Sequence, residues 1–144
     1  MRSYPEFILA GRFFAALILT VLAIVPASAE SFRSDSKRFG NSTMDIVLTE
    51  TERLARTSIL EVQIKAIGSS VGSSVFLHCS LRDLARQRGQ SRYIVKVEDV
   101  PRRHQMLVGF LTSATEPPER LDPRLAGLQA IDLERFSSIC DKMK

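Results

Sequence analysis

Hydrophobic and polar positions along this chain change period several times, and each change marks an element. From residue 57, apolar Leu60, Val62, Ile64 and Ala66 alternate with polar Glu61, Gln63 and Lys65, the period of two expected of a half-buried strand. A Gly/Ser stretch over residues 68–74 ends the alternation with a permissive turn, in which Ser73 or Ser74 can accept from the first amides of a helix. The period then lengthens to 3.6. Leu77, Leu81, Leu84 and Ala85 share one face of a helix over about residues 75–88, while Arg82, Asp83, Arg86 and Gln87 lie off it. Gly89 stops it, as the residue best suited to a left-handed C-terminal position. Residues 93–97 and 105–112 are rich in β-branched, aromatic and long apolar side chains and read as two further strands. The short link between them, through Pro101, implies an antiparallel hairpin. Strand, helix, strand order predicts a right-handed parallel crossover.

The flanking segments carry weaker patterns. Met44, Val47, Leu48, Leu54 and Ala55 fall at helical spacing, and Ser42 with Asp45 resembles a capping pair, so residues 44–56 favour a helix over a short strand at 46–49. Residues 30–43 are polar without a period and read as a flexible arm outside the core. Residues 115–127, with Pro117, Pro118 and Pro123, form a loop. Within residues 131–143, Leu133, Phe136, Ile139, Cys140 and Met143 share one helical face. The expected architecture is therefore α/β (or α+β). It is a three-stranded mixed sheet in β-α-β-β-α order, with residues 44–144 as a single small domain.

The N-terminus changes the compartment in which the rest is read. Arg2 and Arg12 precede an uncharged apolar run over residues 13–25, Pro26 breaks it, and Ala27-Ser28-Ala29 supplies small residues at a signal-peptidase site. Residues 1–29 thus read as a signal peptide cut after Ala29; the competing reading keeps residues 7–25 as an anchor. No cysteine follows to be lipidated, and no adjacent arginine pair marks the twin-arginine route. The expected product is a periplasmic or secreted protein of about 115 residues with no stable membrane span after cleavage.

Export makes Cys79 and Cys140, the only two cysteines, a pair expected to be oxidised. The bridge would staple the C-terminal helix beside the central one. Closing a loop of about 60 residues is worth about 4 kcal/mol by chain entropy, comparable to the net stability of a small domain. No C-x-x-C and no clustered histidines are present, so neither redox exchange nor a metal site is expected, and no cofactor is implied.

The formal net charge of +4 falls when the leader leaves, to 18 Lys and Arg against 15 Asp and Glu. That excess is too mild to imply nucleic acid, and aromatic residues of the kind that stack bases are not interleaved with the cations. Locally, Arg82, Arg86, Arg88, Arg92, Arg102 and Arg103, with Lys96, crowd one stretch. They form a basic surface for an acidic envelope protein or an anionic surface, unless they are only a solvated helix face and loop. Gly68-Ser69-Ser70-Val71-Gly72 matches the G-x-S-x-G elbow between a strand and a helix, and Asp83, Asp99 and His104 follow in the order of a hydrolase triad. Ser70 is accordingly the candidate nucleophile. Against it stands a chain too small for the sheet on which that chemistry is normally built. The same loop could bind an anion at the helix N-terminus, but lacks a phosphate-loop lysine.

Leu81-x-x-Leu84-Ala85-x-x-x-Gly89 followed by Tyr93-x-Val95, after an alternating strand and a Gly/Ser turn, resembles small exported proteins and lipoproteins of Gram-negative bacteria over residues 57–97. Their functions are largely unknown. This chain departs from the lipoproteins in having no lipidated cysteine, and it has Gln90 where an aromatic often follows the glycine. The resemblance implies an exported domain and assigns no catalytic residue. The function expected is a non-enzymatic interaction or accessory module of the cell envelope, with a Ser70 hydrolase or a small-ligand carrier as alternatives.

Overall fold

The computed structural model describes residues 30–40, 42–89 and 92–143; the leader, its cleavage position and Gln90 lie outside them. Six strands form one curled antiparallel sheet, a half-barrel. They are β1 (Arg33–Asp35), β2 (Asp45–Arg53), β3 (Thr57–Ala66), β4 (Tyr93–Glu98), β5 (Gln105–Leu111) and β6 (Ile131–Asp132), in the spatial order β1-β2-β3-β5-β4-β6. One long helix, α1 (Ser70–Gln87), joins β3 to β4, and a short one, α2 (Ser137–Lys142), ends the described chain.

This corrects the expected three-stranded mixed sheet in β-α-β-β-α order. The strands that α1 joins, β3 and β4, run parallel as expected but are not neighbours, because β5 inserts between them. Thr57↔Gly109 through Glu61↔Gln105 pairs β3 with β5, and Tyr93↔Leu111 through Glu98↔Met106 pairs β4 with β5, both antiparallel. The sequence of β5 suits a central place. Met106, Val108 and Phe110 face the α1 side with Leu81, Leu84 and Ala85, while Leu107 and Leu111 join Val95 and Leu125 beneath the proline-rich segment on the other face. Between them Gly109 lets that segment close down: a Cβ there would stand 2.6 Å from Leu125 Cδ1, an overlap neither side chain could absorb without shifting.

The segment expected as a helix over 44–56 is strand β2. Ile46 and Leu48 point with Met44 and Phe76 into one apolar cluster. The next position on that face is the buried carboxylate of Glu50, which hides the alternation from a hydrophobic count. The expected arm is also largely ordered. β1 pairs with β2 through Arg33↔Thr49 to Asp35↔Val47, and Phe32 enters the core. Two of its serines are buried as polar connectors: Ser34 Oγ lies 2.8 Å from Ser80 Oγ on α1, and Ser36 Oγ accepts the Ile46 N–H at 2.9 Å while donating to the Met44 carbonyl at 3.1 Å.

Helix α1 begins earlier than its apolar period. Gly68 turns the chain at φ 71° against Thr43, and Ser69, rather than Ser73 or Ser74, caps the helix by accepting from the Gly72 N–H at 3.0 Å. The C-terminal segment is not one helix over 131–143. Its first residues pair with β4 as β6, the Asp132 carboxylate accepts the Glu134 N–H at 3.0 Å and turns the chain, and only then does α2 form. Phe136 and Ile139, expected to face inward, are exposed.

Candidate functional site

The two ends of α1 differ chemically, and the candidate residues divide between them. At the C-terminal end lies a buried ionic cluster. Glu50 and Arg88 are each almost wholly enclosed; their side chains meet at 3.2 Å, and Glu50 also binds Arg53 and accepts from Ser58 Oγ at 2.6 Å. Arg88 donates further to Ser58 Oγ at 2.8 Å, to the Ala55 carbonyl at 3.1 Å and to the Leu54 carbonyl, with its guanidinium over the Phe110 ring. Burial alone would raise the Glu50 pKa. Hydrogen bonds from Arg53, Ser58 and the Phe32 amide outweigh it and hold the carboxyl below its ordinary value. Nearby, Glu116 is held at about 2 by Arg56 and by the Thr112 amide and hydroxyl. This end ties β2, β3, α1 and the segment after β5 together.

In the middle of α1, Cys79 and Cys140 form a buried disulfide with Cα atoms 5.3 Å apart. Arg82, one turn on, is buried and bound by Glu134 at 3.2 Å and Asp141 at 2.9 Å. Among the described residues no group of three metal-ligating side chains exists.

The N-terminal end of α1 is open. A groove of about 470 Å³ runs between α1 and the β4–β5 turn. Ile46, Val62, Phe76, Leu77 and Met106 give it an apolar floor, and Asp99, Arg103 and His104 a polar rim. A second recess, of about 600 Å³, lies between α1 and α2. The two share Ser74. Around them stand Ile64, Ile67, Val71, Phe136 and Ile139, five of the six large apolar side chains exposed among the described residues, Val71 the most at 73%.

The six arginines of the expected basic surface do not form one patch. Arg82 and Arg88 are interior, Arg86 reaches Glu134 at 3.4 Å, and Arg92 pairs with Asp132 at 2.5 Å. Arg86 and Arg92 are exposed but paired, and Arg102 and Arg103, at the β4–β5 turn, are exposed with no ion pair among the described residues. The expected triad is likewise dispersed. Ser70 is the first residue of α1 and lines the second recess beside His78, whereas His104 and Asp99 line the groove. Asp99 is spent on the turn, accepting the His104 backbone N–H at 2.9 Å, and His78 Nε2 meets the Leu133 carbonyl at 3.1 Å. A nucleophile without a base in reach has no means of activation.

The sequence does not disclose this exposed group, because period places Ile64, Phe136 and Ile139 inward and Val71 falls in the Gly/Ser turn. The available signal was Val71, an aliphatic residue inside an otherwise Gly/Ser turn. Comparisons with protein-family models, curated proteins and solved structures find no match to this chain.

Proposed function

We propose that this chain is an exported, non-catalytic interaction module of the cell envelope, which engages its partner through the end where α1 begins. One observation carries this reading: most of the exposed large apolar side chains of the described residues gather there, beside projecting cations, while Arg82, Arg86 and Arg88 are held in ion pairs within the chain. Exposed apolar surface collected on one part of a small protein is characteristic of an interaction site. The resemblance to small exported Gram-negative proteins points the same way.

Cross-linking in intact cells, with recovery through a C-terminal tag, tests it. A recurrent envelope component, protein or lipid, should be captured and should weaken when Arg102 and Arg103 are both changed to Glu; recovery of neither by a folded protein removes the reading. The groove favours a second reading, a small-ligand carrier, because its volume lies within the range of ligand pockets and its floor is apolar. Ligand-dependent thermal shifts that Leu77→Arg abolishes would favour it. Hydrolysis through Ser70 has no such support, and a fluorophosphonate probe should leave the protein unlabelled.

A further inference from the structure

Resting on that reading, we infer that the partner of the open end is an anionic lipid surface. The argument begins with charge. Lys65 stands between Ile64 and Ile67, Arg102 and Arg103 form the tip of the β4–β5 turn, and Arg135 and Lys142 flank Phe136 and Ile139 in sequence. Among the described residues no carboxylate lies within ion-pair distance of any of these five cations. Asp45 pairs with Lys37 at 3.1 Å, Glu98 with Lys96 at 2.7 Å and Asp141 with Arg82 at 2.9 Å, while Asp99 accepts the His104 amide and remains a negative charge on the groove rim. Around the open end, cations without an ion-pair partner among the described residues therefore outnumber such carboxylates, five against Asp99 on the groove rim.

Shape then selects among acidic partners. The exposed apolar residues come from the end of β3, the turn after it, the first turn of α1, and the α2 segment. They border two recesses and are not gathered in one cleft. A rigid protein would have to fit both recesses at once, whereas a bilayer interface yields to all of these side chains together. Long Lys and Arg side chains can then keep their charges at the headgroups while their stems cover apolar surface. Each cation near an anionic leaflet is worth about a fivefold gain in binding.

The chain contains no tryptophan, so a single introduced one reports its own surroundings. Val71→Trp at the open end and Leu54→Trp at the opposite end, also on an exposed position, should be compared in the exported protein purified from cells. The probe is vesicles of phosphatidylglycerol and phosphatidylethanolamine, with phosphatidylcholine vesicles as control.

The Val71→Trp protein should bind the anionic vesicles alone, with a blue shift that the Leu54→Trp protein does not show. Binding should weaken roughly 25-fold or more in Arg102→Glu plus Arg103→Glu and fall in about 0.5 M salt. No binding, equal shifts at both positions, binding without a shift, or indifference to the charge reversals would each overturn the proposal. Circular dichroism before and after confirms that the variants are folded. A captured envelope protein together with inert vesicles would leave the proposed function standing and remove lipid as the partner. If neither is found, both fall.

Discussion

Where α1 stops, charge is taken inside and matched; where it starts, apolar side chains and cations face outward unmatched. Glu50, Arg88, Arg53 and Ser58 hold β2, β3 and the end of α1 through an enclosed network, and Arg56 with Glu116 extends it to the segment after β5. At the other end Ile64, Ile67 and Val71 have no such closure. Formal charge counts both ends alike, so a cluster of arginines in sequence says little until the burial of each is known. A desolvated guanidinium maintains the fold, and an exposed one remains available to a partner.

The sharpest break in this contrast is Arg88→Ala. It leaves the Glu50 carboxylate enclosed without its partner on α1, and stability should fall by about 3–5 kcal/mol in urea denaturation. The double variant Glu50→Gln with Arg88→Met removes both charges and should recover much of that loss. Replacing Cys79 and Cys140 with Ser should cost about 2–4 kcal/mol, visible as a lower melting temperature, with the wild type approaching it on reduction.

Acid should act on the closed end. Glu50 and Glu116 have folded pKa values below the ordinary 4.5, so their contribution is complete above that pH. It is lost as the pH falls through the folded values, about 2 for Glu116. Urea midpoints should drop between pH 4.5 and 2, less steeply in Glu116→Gln. The smallest effect belongs to the open end: Val71→Ser should alter stability by no more than about 0.5 kcal/mol, and a large loss there would show that the two ends are not distinct.

Much of the fold can be read in the sequence where a period is long and clean. The alternation of residues 57–66, the stripe of Leu77, Leu81, Leu84 and Ala85, and the apolar runs of β4 and β5 name those elements correctly. The expected disulfide is present. The errors share a cause, the use of polar groups inside. Glu50 masks β2, Ser34 and Ser36 mask the ordered start of the domain, and Arg82 sits buried on what composition marks as the outer face of α1. Glu50 is satisfied in part by Arg88, Ser34 by Ser80, and Arg82 by Glu134 and Asp141, all distant in sequence, and Ser36 by the backbone of β2 and the residue before it; no local pattern reveals these partners. The place of β5 is illegible for the same reason: its own residues call for cover on both faces, but not for which strands flank it. For the site, the glycines and serines around Ser70 form a recognisable motif, yet serving as a helix start requires the same residues as an elbow does.

The insertion of β5 between β3 and β4 also sets an order of events. Pairing β3 with β5 joins residues as far apart as Thr57 and Gly109, whereas β4 and β5 meet across a short turn. During synthesis the meander of β1, β2 and β3 must wait with one edge of β3 unpaired until residue 111 has emerged, and such an edge invites association with other chains. The local hairpin of β4 and β5 should form first and then dock as a unit, so closure of the sheet, dominated by distant pairings, should be the slow step of folding.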